Sequence, residues 1–150
     1  CGQSPIKKSL YGRLGGYSDE LYINADWDFW LSVHEHNIKG AFIDAITYNR
    51  RQRSINIGHT YMHLRPIIVE KIIKRHPDYF CNDHRKNIAR FNVYQSLARY
   101  NKSIGKREDA AKFARKALEF DDSILAFDTI FQEEKMSALR YVLRRLGRLV

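Results

Sequence analysis

Apolar positions recur at helical spacing along most of the chain. Ile6, Leu10, Tyr11 and Leu14 predict a short helix over residues 4–14, with Pro5 in its first turn and Gly15-Gly16 ending it. Residues 17–25 are polar and read as a loop. Asp26 opens the next helix, in which Trp27, Trp30 and Leu31 recur at i, i+3, i+4 and Val33-His34 continue the same side. Such a stripe is core-facing, so Trp30 is expected to be buried. Asn37 and Gly40 break this helix, and Ala41–Asp44 and Ala45–Arg50 are β-favouring runs that predict short strands.

After Ile57 the pattern becomes helical throughout. Met62, Leu64, Ile67, Ile68, Ile72 and Ile73 predict one helix over residues 59–75 despite Pro66. A long amphipathic helix is expected from Asn82 to Asn101. Gly105 separates it from another at Glu108–Phe120, and a last helix runs from Ser123 to Arg148. Gly105, Ala110, Ala117 and Leu118 have tetratricopeptide-like spacing. Only one copy is evident, and solenoids need about three, so an αα-hairpin with small contact residues is the better reading. The fold class is therefore α+β and predominantly helical: a mixed segment at 1–57 and an all-helical extension at 58–150. No Pro/Ser-rich linker parts them, so packed neighbours are expected.

Composition narrows the class. With 150 residues and 44% hydrophobic content, the chain can bury a core and is not a disordered tail. Its net charge of +9 favours anionic partners. Two cysteines, Cys1 and Cys81, make no disulfide framework, and a reducing compartment is the simpler reading. No apolar run approaches the roughly 20 residues of a membrane span. The opening Cys-Gly-Gln-Ser-Pro carries neither a signal peptide nor an initiator Met, and reads as the start of a piece of a longer protein.

Four signals follow one another in order: Gly15-Gly16-Tyr17, then Ala25-Asp26-Trp27-Asp28-Phe29-Trp30-Leu31, then the apolar run Ala41–Asp44, then Tyr48-Asn49-Arg50-Arg51-Gln52-Arg53-Ser54. Together they resemble the second half of the catalytic domain of a family 2 glycosyltransferase of GT-A type. The resemblance covers about residues 1–57 and rests on order and spacing. It departs from the family at Ala25, where Glu is frequent, and at Arg51 or Gln52, one of which stands at the position of a family His.

The resemblance implies transfer of a sugar from a nucleotide-sugar donor to a sugar or lipid-linked hydroxyl acceptor, with inversion, as in polysaccharide biosynthesis. It makes Asp26 the general base, and Gly15, Gly16 and Trp27 acceptor-binding. Arg50, Arg51 and Gln52 would lie near the donor diphosphate, which arginines pair bidentately. A divalent Mg or Mn ion would serve the intact enzyme, bound mainly by the half that this chain does not carry. Neither metal binding nor tight nucleotide-sugar binding is expected of this chain alone, and it should be inactive alone. If cut within its sheet, the chain would expose strand edges and form homo-oligomers.

Each assignment has a plainer alternative. A carboxylate at a helix start caps backbone N–H groups, so Asp26 is the base only by virtue of the flanking motif. Asp26-Trp27-Asp28 spells an Asp-x-Asp metal motif, but it opens a helix instead of ending a strand, so Asp28 is assigned a supporting or capping role. Trp27 and Trp30 share a face that more often packs than stacks on sugar. The arginines equally suit a solvated basic loop. His59 and His63 have the i, i+4 spacing of a two-His metal face without a third ligand. His34, His36, His76 and His84 show no ligand pattern, and Cys81 reads as structural. Arg140, Arg144 and Arg148 lie beside Leu139, Leu143 and Leu146, which suits either an anionic membrane surface or packing within the protein. The location expected is cytoplasmic, peripheral to the inner face of the membrane. The competing function is a non-catalytic basic helical module that binds nucleic acid or a protein partner. Scattered basic residues without a helix-turn-helix or zinc signature argue against nucleic acid.

Overall fold

The computed structural model describes residues 5–41 and 57–121. Among the described residues the elements are α1 (Lys8–Arg13), α2 (Ala25–Glu35), α3 (Ile57–Thr60), a 3₁₀ turn (Met62–Leu64), α4 (Arg65–Arg75), α5 (Asp83–Ser103) and α6 (Arg107–Leu118). The protein is predominantly helical, with no strand among the described residues. The expected strands at 41–50 lie, apart from Ala41, outside them, as does the helix expected over 123–148. The chain divides into two compact units, Cys1–Arg85 and Lys86–Val150.

Helix ends account for most differences from the expected boundaries. α1 starts at Lys8, so Pro5 stands before the helix and not in its first turn. The single helix expected over 59–75 is three pieces. Pro66 sits at the start of α4, where its missing N–H breaks no intrahelical bond, and the chain before it turns as α3 and the 3₁₀ segment. Consequently His59 and His63 fall on different elements and do not form an i, i+4 helical face.

Three helices end in the same way. After α1 the N–H of Gly16 bonds to the Tyr11 carbonyl at 2.9 Å and that of Gly15 to Gly12 at 3.1 Å. After α2, Ile38 bonds to Val33 at 3.2 Å and Asn37 to His34 at 2.9 Å; after α5, Lys106 bonds to Asn101 at 2.9 Å and Gly105 to Lys102 at 3.1 Å. The pivot residues have positive φ: Gly15 at 80°, Asn37 at 52° and Gly105 at 79°. These are Schellman ends, in which a left-handed residue lets two otherwise unpaired carbonyls accept bonds. At the other end of α5, the Asn82 side chain accepts the Arg85 N–H at 2.9 Å.

In the first unit Leu21, Ile23, Phe29, Leu31, Met62, Ile68, Val69, Ile72, Ile73 and Phe80 are buried, together with Asp28 and His76. α2 turns Asp28, Phe29 and Leu31 inward, so Phe29 takes the deep position (2% exposed) while Trp27 and Trp30 are half-buried. The expected burial of Trp30 is thus corrected. A charged residue occupies the inward face because other elements neutralise it there.

The second unit holds α6 on the α5 residues through small side chains. Ala114, Ala117 and Leu118 cluster with Phe91 and Ala98, and Tyr94, Phe113 and Phe120 pack at the edge. Ala110, Ala114, Ala117 and Leu118 lie at i, i+4, i+7 and i+8, which gives the expected αα-hairpin with alanine contacts.

Gly16 and Gly105 should respond unequally to Ala. Both have positive φ, which costs an L-residue roughly 1–2 kcal/mol. A Cβ on Gly105 meets nothing within 4 Å, whereas on Gly16 it would lie 2.7 Å from Tyr11 Cε1. Urea denaturation should therefore show a larger loss for Gly16→Ala than for Gly105→Ala, and Gly105→Asn should cost less than Gly105→Ala. The reverse order would remove Tyr11 packing as the reason for Gly16.

Candidate functional site

The turn before α2 is built around Tyr11. Its ring packs on Tyr17 (5.3 Å, edge-on) and on Phe29 (5.2 Å), and Tyr17 also meets Phe29 edge-on at 5.6 Å. The Tyr17 N–H donates to the Tyr11 hydroxyl at 2.8 Å. Gly16 lacks a side chain because the Tyr11 ring fills that space; Gly15 is exposed, with open space where a Cβ would be. Of the two glycines assigned to acceptor contact, only Gly15 thus presents an open backbone surface.

Asp26 lies in the first turn of α2, one residue past its start, and is exposed. The residue preceding the helix is Asn24, left-handed at φ 62°. The Trp27 N–H donates to Asp26 Oδ1 at 2.9 Å, so the carboxylate answers a backbone donor of the first turn. Its charge also reaches Tyr17. The Tyr17 phenol is pushed above its ordinary value of 10.0, first by partial burial, then by the Asp26 carboxylate and by Tyr11. Trp27 is half-buried, edge-on to Phe80 at 6.1 Å.

Asp28 has the opposite environment. Its side chain is 4% exposed, and its Oδ1 accepts from Arg75 Nε at 2.9 Å and His76 Nε2 at 3.0 Å. The other ring nitrogen of His76, Nδ1, lies 2.7 Å from Glu35 Oε2. Glu35 Oε1 accepts the Tyr79 N–H at 3.3 Å. Asp28 and Glu35 are two helical turns apart on α2, about 10.5 Å along the axis. His76, at the end of α4, therefore clasps α2 at both places. Both its partners are carboxylates, and each ring nitrogen of His76 faces one of them. Arg75 extends the cluster outward to Glu20 at 3.8 Å.

The residues do not fit a metal centre. Among the described residues, no group of three or more His, Cys, Asp or Glu side chains is placed to hold an ion. Within Asp26-Trp27-Asp28 one carboxylate faces outward and the other is buried against Arg75 and His76, so the pair does not converge. Arg50, Arg51 and Gln52 lie outside the described residues.

Sequence reasoning missed His76. No ligand spacing marks it, and its partners stand 41 and 48 positions away. The available signal was Asp28 itself, a charge on the inward side of an aromatic helix that required a counter-charge. Cys81, expected to be structural, is exposed and free. The second unit carries an open groove lined by Tyr94, Lys112, Phe113, Arg115, Lys116 and Glu119, which the sequence did not mark. No helix among the described residues is long and apolar enough to cross a membrane.

Two measurements probe this arrangement. His76→Ala should lower unfolding free energy by about 1–3 kcal/mol, because buried Asp28 keeps only Arg75 and Glu35 only the Tyr79 N–H as partners. Asp26→Asn should cost under about 0.5 kcal/mol, as expected at an exposed position. Equal, small losses in chemical denaturation would mean that the His76 cluster does not anchor α2. Separately, the Tyr17 phenol should titrate above 10.0, and Asp26→Asn should lower that value because removing a nearby negative charge favours phenolate. Ring-carbon NMR through an alkaline titration reads this directly, and an unmoved midpoint would show that Asp26 lies electrically out of reach.

No protein-family model, curated protein or solved structure matches the chain.

Proposed function

We propose that this chain is the acceptor-side part of a family 2 glycosyltransferase, with Asp26 as the general base. The observation that carries the reading is the opposite placement of two carboxylates two residues apart. Asp28 is sunk under Arg75 and His76, which fixes α2, while Asp26 stands exposed on the first turn beside the Gly15-Gly16-Tyr17 corner. A base must be presented on a rigid support with its carboxylate outward, within reach of the proton it takes.

In the reaction proposed, an acceptor hydroxyl attacks the anomeric carbon of a nucleotide sugar. The new carbon–oxygen bond forms as the bond to the diphosphate breaks. The nucleoside diphosphate leaves with the electron pair, the hydroxyl proton passes to Asp26, and the anomeric configuration inverts. The first half of the catalytic domain would supply the donor pocket, the divalent ion and the rest of the sheet. The strand assignments at 41–50 and the roles of Arg50, Arg51 and Gln52 near the diphosphate belong to this reading. So do acceptor contact by Gly15, Gly16 and Trp27, and attachment to the inner membrane face.

A second reading, a non-catalytic basic helical module, is favoured by one observation. The groove of the second unit combines Tyr94 and Phe113 with Lys112, Arg115 and Lys116 against a single acid, Glu119. That composition suits an anionic partner.

The two readings part at Asp26. In the full-length protein, Asp26→Asn should lower turnover by about 100-fold or more, with donor affinity little changed. Radiolabelled or coupled transfer assays with nucleotide-sugar donors measure both quantities. Turnover near wild type would sink the base assignment, and a full-length protein with no transfer at all would leave the binding-module reading in possession.

A further inference from the structure

The loop that leads into α2 holds an aromatic surface with no part in the cluster around His76. Tyr22 is 70% exposed, the most exposed large apolar side chain among the described residues. Its ring stacks on that of Tyr61, with centroids 5.9 Å apart and planes inclined by 25°. Each ring is held outward by its neighbours. Leu21 and Ile23, on either side of Tyr22, are 5% and 7% exposed, so the bend that buries these two leaves Tyr22 at the surface. Tyr61 is followed by Met62, which is 8% exposed and ties the start of the 3₁₀ turn to the core.

An exposed stacked pair of this kind calls for an occupant. Stacking contributes about 0.5–1.5 kcal/mol, yet the outer ring still presents apolar surface to water. The patch is small for a protein interface, whose partners each bury about 800 Å². Its sequence neighbours Ser18, Asp19, Glu20 and Asn24 are short or acidic side chains that bond hydroxyl groups, and Asp19 and Glu20 are exposed. A flat apolar ring on a loop that carries hydrogen-bonding side chains matches a pyranose, which has an apolar C–H face and a rim of hydroxyls. Tyr22 precedes Asp26 by four residues, and four residues of extended chain span at most about 14 Å. A short oligosaccharide covers that distance.

We propose that the Tyr22–Tyr61 pair is a stacking subsite for a pyranose unit of the acceptor, set back from the hydroxyl that reacts at Asp26. The subsite rests on the glycosyltransferase reading for its role, but its binding needs neither donor nor catalysis. It therefore makes the acceptor a saccharide of more than one unit, with one ring parked on Tyr22 while another presents its hydroxyl. Trp27, half-buried against Phe80, has less ring surface to offer than Tyr22.

Titration of the 150-residue chain with cellotetraose, chitotetraose and laminaritetraose, read by tyrosine ring NMR and calorimetry, tests this. At least one should bind saturably. Tyr22→Ala should weaken it about 10-fold, the equivalent of 1.4 kcal/mol, Tyr61→Ala should weaken it less, and Tyr22→Phe should stay within about 2-fold. Absence of saturable binding to all three, or affinity unchanged in Tyr22→Ala with its circular dichroism intact, would overturn the subsite. So would loss of self-association in Tyr22→Ala without change in saccharide affinity. A failed catalytic reading shows itself elsewhere, as turnover indifferent to Asp26 while Tyr22-dependent saccharide binding persists.

Discussion

The first unit depends on one neutralisation. Burying Asp28 without a partner would cost several kcal/mol, and the inward face of α2 would then favour a different rotation or a different helix. Arg75 and His76, adjacent in the chain, bring a guanidinium and an imidazole to Asp28 at the point where α4 ends. His76 then spends its second nitrogen on Glu35. Two contacts two turns apart fix both the rotation and the tilt of α2, where one contact would leave the helix free to swing. The half-buried tryptophans, the exposed position of Asp26 and the Tyr11 corner all follow from that orientation.

The alternation of Asp26 and Asp28 illustrates how one helix buries one carboxylate and presents another to solvent. Residues i and i+2 lie about 200° apart around an α-helix, so one can be sunk while the other is presented. The interior carboxylate is buried against Arg75 and His76, away from solvent. The outer one bonds a backbone N–H beside the positive end of the helix dipole and lies within electrostatic range of Tyr17.

Local features of the fold were legible in the sequence. Gly15, Asn37 and Gly105 stop helices where expected, since each takes a conformation that disfavours other residues. The alanine spacing of α6 gave the αα-hairpin, because small residues at i, i+4 and i+7 have few other uses. The Trp27/Trp30/Leu31 stripe was misleading. Periodicity counts hydrophobicity, and on α2 the inward position belongs to a carboxylate whose partners lie more than 40 residues on. Pro66 was read as an obstacle within a helix although it begins one, because period alone does not locate a start. For the candidate site, the place of Asp26 at the start of a helix was legible to within one residue. Tyr22 and Tyr61 were not, because stacking between distant residues leaves no local pattern.

The clasp between His76 and α2 has a consequence for how the chain tolerates change. It closes a loop of 41 to 48 residues, and the entropy of closing a flexible loop grows only with the logarithm of its length. Doubling the intervening chain would cost about 0.6 kcal/mol. Losing one member of a buried charge cluster costs several times that. The clasp therefore depends less on the number of residues between its partners than on the residue at position 76. Among descendants of this sequence, replacement of His76 should be rarer than a change in the number of residues that separate it from Asp28.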